Sequence, residues 1–378
     1  MTDRDERVLG NVGMQRRQLL YAALLSPLAS ARVGAAATLV PMRARGAAQL
    51  DVRDFGVRGD GVHDDTLALQ RAVDALPSDG GTVRVGPGNY LVDPARSLRL
   101  RSRMHLQLAP GATLVAKSNA LERAYVVLIQ DAHDVEVSGG AIVGDRDRHL
   151  GLGGEWGHGL TSRGSSAVTI RDIRISRCWG DGISIGADAS RPGRPVPTSR
   201  DVVVARVVCV GNRRQGLTIG RSQNVRVYDS EFSDTGGTAP QAGIDIEPDS
   251  PSDAGDIRIE RCLVRNNRGP GIQVYRRVWG VTIADCTIAG NQAPGIVVVG
   301  ARDSVIAGNR IHDNRQPGIS LRGNAVGVEI RGNQFDANGM ETLNAGAARD
   351  TATPAWRRQV HVADDAHGVT FSDNVGGG

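Results

Sequence analysis

The densest chemistry in the sequence is Gly243-Ile244-Asp245-Ile246-Glu247, in which two carboxylates alternate with two aliphatic residues. Such alternation marks a strand, and it puts Asp245 and Glu247 on one outward face with backbones about 6.5–7 Å apart. Two acids that close repel each other, and in a partly dry groove the repulsion raises one pKa and separates a proton donor from a proton acceptor. The pair suits proton abstraction, glycoside hydrolysis or the holding of a cation. The plain alternative is a solvated strand face, which is disfavoured because like charges there cost stability unless something offsets them.

Other reactive side chains fall into register with this pair. Gly243 is one of a series of glycines that each open an apolar alternating segment: Gly159, Gly182, Gly216, Gly243, Gly271, Gly295 and Gly318. Two residues after each glycine stand Thr161, Ser184, Thr218, Asp245, Gln273, Val297 and Ser320; four residues after stand Arg163, Gly186, Gly220, Glu247, Tyr275, Val299 and Arg322. Asp181 and His158 directly precede two of the glycines. The expected catalytic set is therefore Asp245, Glu247, Asp181, Tyr275 and His158. Arg214 and Arg276, with neighbours Arg213 and Arg277, could grip a sugar carboxylate in a bidentate fork. Gln273 is expected to touch substrate, and Trp156 and Trp179 to stack on sugar rings. Asp145, Asp147 and Glu155 form an acidic patch that could hold a hard cation such as calcium, although their spacing matches no EF-hand loop. No metal ligand set is assigned.

The elements that must position these residues are short and repetitive. The glycines recur at intervals of 23, 34, 27, 28, 24 and 23 residues, and each unit carries a second alternating strand such as Val281-Thr282-Ile283 and a third apolar pair such as Cys286-Thr287-Ile288. Three strands per repeat of this length make one turn of a solenoid, in which stacked coils bury a continuous aliphatic column. The fold class expected is all-β, a single-stranded right-handed parallel β-helix. Asn212, Asn267, Asn291 and Asn314 each lie four residues before a glycine. Stacked coils would align them into an amide ladder with a structural role.

Upstream, Asp64-Asp65-Thr66 starts a helix whose stripe is Leu67, Leu69, Ala72, Val73 and Leu76, and this N-terminal α-helix is expected to cap the open end of the β-helix. The first coil is expected to begin at Gly80-Gly81-Thr82-Val83. Residues 93–150 supply irregular early coils, 339–358 read as a loop, and Val360–Val362 with Val369–Phe371 suggest a final coil. The stretch Ala187–Ser199 is an insertion of the kind that walls a groove.

Arg16-Arg17-Gln18-Leu19-Leu20, an apolar run and then Ala35-Ala36-Ala37 form a twin-arginine export pattern. Residues 1–37 are expected to be an export signal and 38–378 the β-helix domain, working in the periplasm or outside the cell with no membrane span in the mature form. The chain has a formal charge of +4, but five of the arginines and three of the acids lie in residues 1–37, so the remainder carries +2. With no basic run interleaved with aromatics, nucleic acid is not an expected partner. Four cysteines lack metal spacing; Cys262 and Cys286 occupy equivalent places in neighbouring units, where a stack of thiols or a disulfide would fit.

Asp54-Phe55-Gly56-Val57-Arg58-Gly59-Asp60-Gly61, then Asp64-Asp65-Thr66 and Gly80-Gly81-Thr82-Val83 with Pro87-Gly88-Asn89-Tyr90, resembles the N-terminal signature of the pectate-lyase-like superfamily of polysaccharide enzymes. Gly243-Ile244-Asp245-Ile246-Glu247 is similar to the Gly-Phe-Asp-Pro-His-Glu run of its mannuronan C5-epimerase and lyase branch, with Glu247 where that branch has histidine and Ala242 where it has tyrosine. Gly144-Asp145-Arg146-Asp147 resembles its Asn-Arg-Asp loop. Trp179-Gly180-Asp181-Gly182 is similar to the Gly-Asp-Asp run of polygalacturonase-like hydrolases. The resemblance implies an exported enzyme acting on a uronate-containing glycan by β-elimination or C5 epimerisation. An inverting glycoside hydrolase and a non-catalytic glycan-binding or cell-surface β-helix remain the other two readings.

Overall fold

Alternation decides which side chains enter the core. In the coil that carries the acidic pair, Ile244 and Ile246 are fully buried, as are Val225, Val227 and Phe232 from its other strands. Burying one such side chain stabilises by about 1.5–3 kcal/mol, a gain that needs the coils above and below. The computed structural model describes residues 40–187, 197–249, 253–339 and 354–377. The expected export signal and most of the Ala187–Ser199 insertion and the 339–358 loop lie outside the described residues.

The strands form three parallel sheets, here sheets A, B and C, of 12, 12 and 10 strands. Sheet A runs from Ala48–Asp51 to Thr370–Ser372, sheet B from Asp60–Asp64 to Val375–Gly376, and sheet C from Leu98–Leu100 to Val360–Val362. Each coil passes from A to B to C, the winding of a parallel β-helix. Ala48–Asp51 already pairs with Gly81–Val85, so the winding begins one coil before the expected Gly80-Gly81 start. The helix Thr66–Asp74 occupies the sheet C place in that first coil and contributes Leu69, Ala72 and Val73 to the core. Leu67, assigned to its apolar stripe from sequence, is 56% exposed, because the buried face is set by Leu69, Ala72, Val73 and Leu76 instead.

The opening glycine of each unit answers to crowding between coils. A Cβ on Gly243 would sit 2.5 Å from Val264 Cγ1 and 2.7 Å from Asn267 Nδ2. That same Asn267 belongs to the ladder: its Nδ2 donates to Asn291 Oδ1 at 2.9 Å, Asn291 to Asn314 at 2.8 Å, and Asn314 to Asn338 at 2.8 Å. A second ladder, Asn309 to Asn333 to Asn374, runs at the turn between sheets A and B. Cys286 and Cys262 continue that column as free buried thiols, with Cys262 N donating to Cys286 Sγ at 3.4 Å. The disulfide alternative is thereby replaced by a thiol serving as a backbone acceptor.

Candidate functional site

Asp245 lies between two core residues of the strand Ile244–Ile246, so its side chain must leave the opposite face of sheet C. The register pairs Thr218 with Asp245 and Asp245 with Gln273, and the whole row from Thr161 to Ser320 stacks as the glycine spacing requires. Outward, however, does not mean open. Asp245 is 0% exposed. Gln215 Nε2 donates to its Oδ2 and Gln273 Nε2 donates to its Oδ1 at 3.1 Å, so neighbouring coils supply an amide to each oxygen. Burial above all, then the charge of Glu247 and a hydrogen bond with it, drive the Asp245 carboxyl well above the ordinary range; Arg214 pulls the other way. A proton therefore stays on Asp245 where an exposed aspartate would have lost it. Glu247 is half-buried, just past the strand, with its backbone N–H on Ile219 O at 3.0 Å. Tyr275 follows one coil on, half-buried, with its N–H on Ile246 O at 2.9 Å and the exposed Arg276 guanidinium 5.8 Å from its ring centre.

The polar column continues through the residues that precede the glycines. Asp181 is buried and receives the Thr218 hydroxyl at 2.7 Å, and Arg214 Nη1 stands 3.5 Å from each of its oxygens. Loss of water outweighs both partners and lifts its pKa to about 6. His158 accepts the Asp181 backbone N–H at Nδ1 (3.0 Å), so that nitrogen carries no proton. Burial, then the charges of Arg163, Arg214 and Arg123, keep the imidazole neutral well below the usual histidine range. Its 3.4 Å approach to Asp181 Oδ2 is accordingly no ion pair. The ring stacks on Tyr125 with centroids 5.6 Å apart. Gln215 joins the two halves: Arg214 Nη1 donates to its Oε1 at 3.1 Å, the Thr218 hydroxyl also reaches that oxygen, and its amide covers Asp245. Sequence reasoning passed over Gln215, though the signal was available. It occupies the slot before Gly216 that His158 and Asp181 occupy before their glycines.

Several expected roles change. Arg214 is no free clamp: it is 14% exposed and held by Glu155 Oε2 at 3.0 Å as well as by Asp181 and Gln215, so it neutralises the column from within. Gln273 is engaged with Asp245. Trp179 cannot stack on a sugar, because His149 covers one part of its ring system at 4.0 Å and the Arg213 guanidinium another at 3.8 Å, while its indole N–H is bound to Gly153 O. Trp156 carries the Arg123 guanidinium 4.5 Å from its ring. The acidic patch is dispersed: Asp145 accepts from Asn119 and His149, Asp147 pairs with Arg177 at 2.6 Å, and Glu155 pairs with Arg214. Among the described residues no group of three or more His, Cys, Asp or Glu converges to hold a metal, so the calcium reading has no donor set at that patch. The structure thus brings His158, Asp181, Arg214, Gln215, Thr218, Asp245, Gln273 and Glu247 into one column, with Tyr275 and Arg276 at its accessible end.

Residues 241–375 match the family model described as a right handed beta helix region. The uncharacterized protein YclG of Bacillus subtilis is 27% identical over 329 residues, covering 80% of this chain and 55% of YclG. Mannuronan C5-epimerase AlgE2 of Azotobacter vinelandii is 28% identical over 254 residues, 59% of this chain and 25% of AlgE2. The chain thus spans about half or less of the length of these relatives. Among solved structures, the A-module of mannuronan C5-epimerase AlgE6 from Azotobacter vinelandii superposes with a TM-score of 0.62 at 20% identity, covering 87% of this chain and 99% of that one.

Proposed function

We propose that this member of the right-handed β-helix superfamily acts outside the cytoplasm on a uronate-containing polysaccharide, by proton chemistry at C5. The observation that carries the reading is the Asp245–Glu247 pair, one carboxyl fully buried with its pKa driven upward, the other half-buried and level with Tyr275 of the next coil. The likeness to a mannuronan C5-epimerase over 254 residues supports it. In this reading Arg276 meets the uronate carboxylate, which makes the neighbouring C5–H more acidic, and Glu247 takes that proton. The protonated Asp245 cannot compete as a base; it donates a hydrogen bond to Glu247 and fixes its position. Elimination then breaks the C4–O4 bond and passes a proton to the leaving oxygen, whereas epimerisation returns a proton to C5 on the other face.

The test is solvent exchange. The full chain is incubated in deuterated water with polymannuronate, polygalacturonate and a neutral glucan, and deuterium at C5, ultraviolet-absorbing unsaturated ends and reducing ends are all measured. Either deuterium at C5, from epimerisation, or ultraviolet-absorbing unsaturated ends, from elimination, is expected, falling about 100-fold or more in Glu247→Gln. Reducing ends without exchange or ultraviolet absorbance would replace this reading with glycoside hydrolysis. Glycan binding with no reaction, unaltered by Glu247→Gln, would replace it with a non-catalytic role.

A further inference from the structure

A cleft of about 550 Å³ lies along sheet B, lined by Arg146, Arg174, Arg177, Arg268, Asp234 and Thr235. Its walls come from five successive coils, those of the sheet B strands Ala141–Val143, Arg174–Ser176, Val208–Val210, Glu231–Ser233 and Leu263–Arg265. The turn 211–216 separates it from the acidic column. Gly211 and Asn212 accept from Arg146 Nη1 on the cleft side, while Arg214 and Gln215 serve the column. Glycines make the room: Gly236 leaves space for the Arg268 stem, whose Cδ would be 2.7 Å from a Cβ there.

The charge is unbalanced. Arg177 is paired with Asp147, and Asp234 is the one acid in the lining, but neither Arg174 nor Arg268 has an acidic partner among the described residues. Burial first, then the positive charges of Arg177 and Arg268, pull the Arg146 guanidinium below its ordinary value, although Asp147 opposes them. The Thr235 hydroxyl is buried and finds no hydrogen-bond partner. Arg146 and Arg174 belong to adjacent coils, whose backbones stack about 4.8 Å apart, and Arg268 belongs to the third coil beyond Arg174, roughly 14 Å along the axis, so the guanidinium groups line a stretch as long as a few sugars of an extended glycan.

We infer that this cleft is a second binding site, across the 211–216 turn from Asp245, for the carboxylates of an acidic glycan chain, held by Arg146, Arg174 and Arg268. Only the identity of the ligand rests on the proposed function; the cleft would bind whether or not the column reacts. A long chain engaging both places gains affinity that a short one cannot reach.

The experiment compares the full chain with Arg174→Ala/Arg268→Ala, both side chains being exposed, after matching their melting curves. Calorimetric titration uses a mannuronate trimer, a long polymannuronate, a neutral glucan and inorganic phosphate, at low and raised salt. The long polyuronate is expected to bind the double variant about tenfold more weakly, with a shallower salt dependence, while the rate of C5 exchange or of unsaturated-end formation on the trimer is unchanged. Equal affinity of both proteins for the long polymer overturns the inference. So does an arginine-dependent loss confined to phosphate, which would mark a simple oxyanion site. Arginine-dependent polymer binding by a protein that neither exchanges the C5 proton nor forms unsaturated ends would keep the cleft and remove the reaction.

Discussion

Asp181 offers a sharp test of the electrostatics, because its two surroundings pull in opposite directions. Full burial raises the carboxyl, and Arg214 with the Thr218 hydroxyl lowers it; the balance stands at about 6 against an ordinary 3.8. Arg214 loses the contest because it is 3.5 Å away and shared with Glu155 and Gln215. A carboxyl raised in the folded state keeps its proton there after the unfolded chain has released it. Raising pH from about 3.8 to about 6 therefore costs stability, and two units correspond to roughly 3 kcal/mol. Asp181→Asn has no such loss. Chemical denaturation of both proteins between about pH 3.5 and pH 8 should show the variant gaining roughly 3 kcal/mol relative to the parent through that window and nothing further above it. Thr218→Val, which removes a donor to the carboxylate, should widen the gap and move it to higher pH. Parallel curves, or a parent that gains stability over the same window, would refute the reasoning and make Arg214 the dominant partner.

Arg214→Ala should cost about 3–5 kcal/mol in the same assay above about pH 6, where it leaves the buried, ionised Asp181 without its counter-charge. Asn291→Ala strips acceptors from Asn267 N and Nδ2 and a donor from Asn314, and should destabilise by about 3 kcal/mol or more, whereas Asn89→Ala at an exposed position should not approach that loss. Thr235→Asn should stabilise by about 1 kcal/mol, because Asn212 Nδ2 is buried without a partner where Thr235 interrupts the ladder. All four thiols are buried, and loss of water pushes Cys178, Cys209 and Cys262 upward, so iodoacetamide should label none of the cysteines until the chain unfolds, as read by mass spectrometry.

The stacking order was legible because two independent periodicities enforce it. The opening glycine is demanded by contact with the next coil, and strand alternation then fixes which residues share a face, so Thr218, Asp245 and Gln273 could be placed in one row from the sequence. A raised carboxyl in the pair was legible too, although burial drives Asp245 upward more than the repulsion expected from Glu247. What the sequence did not disclose is closure. Whether Asp245 is open depends on the rotamers of Gln215 and Gln273, and no period encodes those. Trp179 is filled by His149, which a loop delivers, and Arg43 reaches across the outside of sheet A to Thr169 and Asp201 from a segment with no repeat at all. Contacts made by irregular chain carry no periodic signal.

The two costs in this molecule fall in the same coils. Stability in a solenoid is close to a sum of neighbouring interfaces, so a weak interface is a local choice. From Asn267 onward the amide ladder is continuous to Gln359, and the row of sheet C beyond Gln273 is Val297, Ser320 and His361, with no buried acid. Before it, at Asn212 and Thr235, the ladder is broken and two polar atoms are left unsatisfied. Those are the coils that carry Asp181, Gln215 and Asp245 on one flank and the unpaired arginines on the other. A fold shaped by packing alone would gain by putting asparagine at 235 and amides at 181 and 245. Placing Asp181, Asp245, an incomplete ladder and an arginine cleft within a few turns, while the amide ladder of the C-terminal coils is complete, is the pattern expected under the proposed function, with the neighbouring coils supplying the stability.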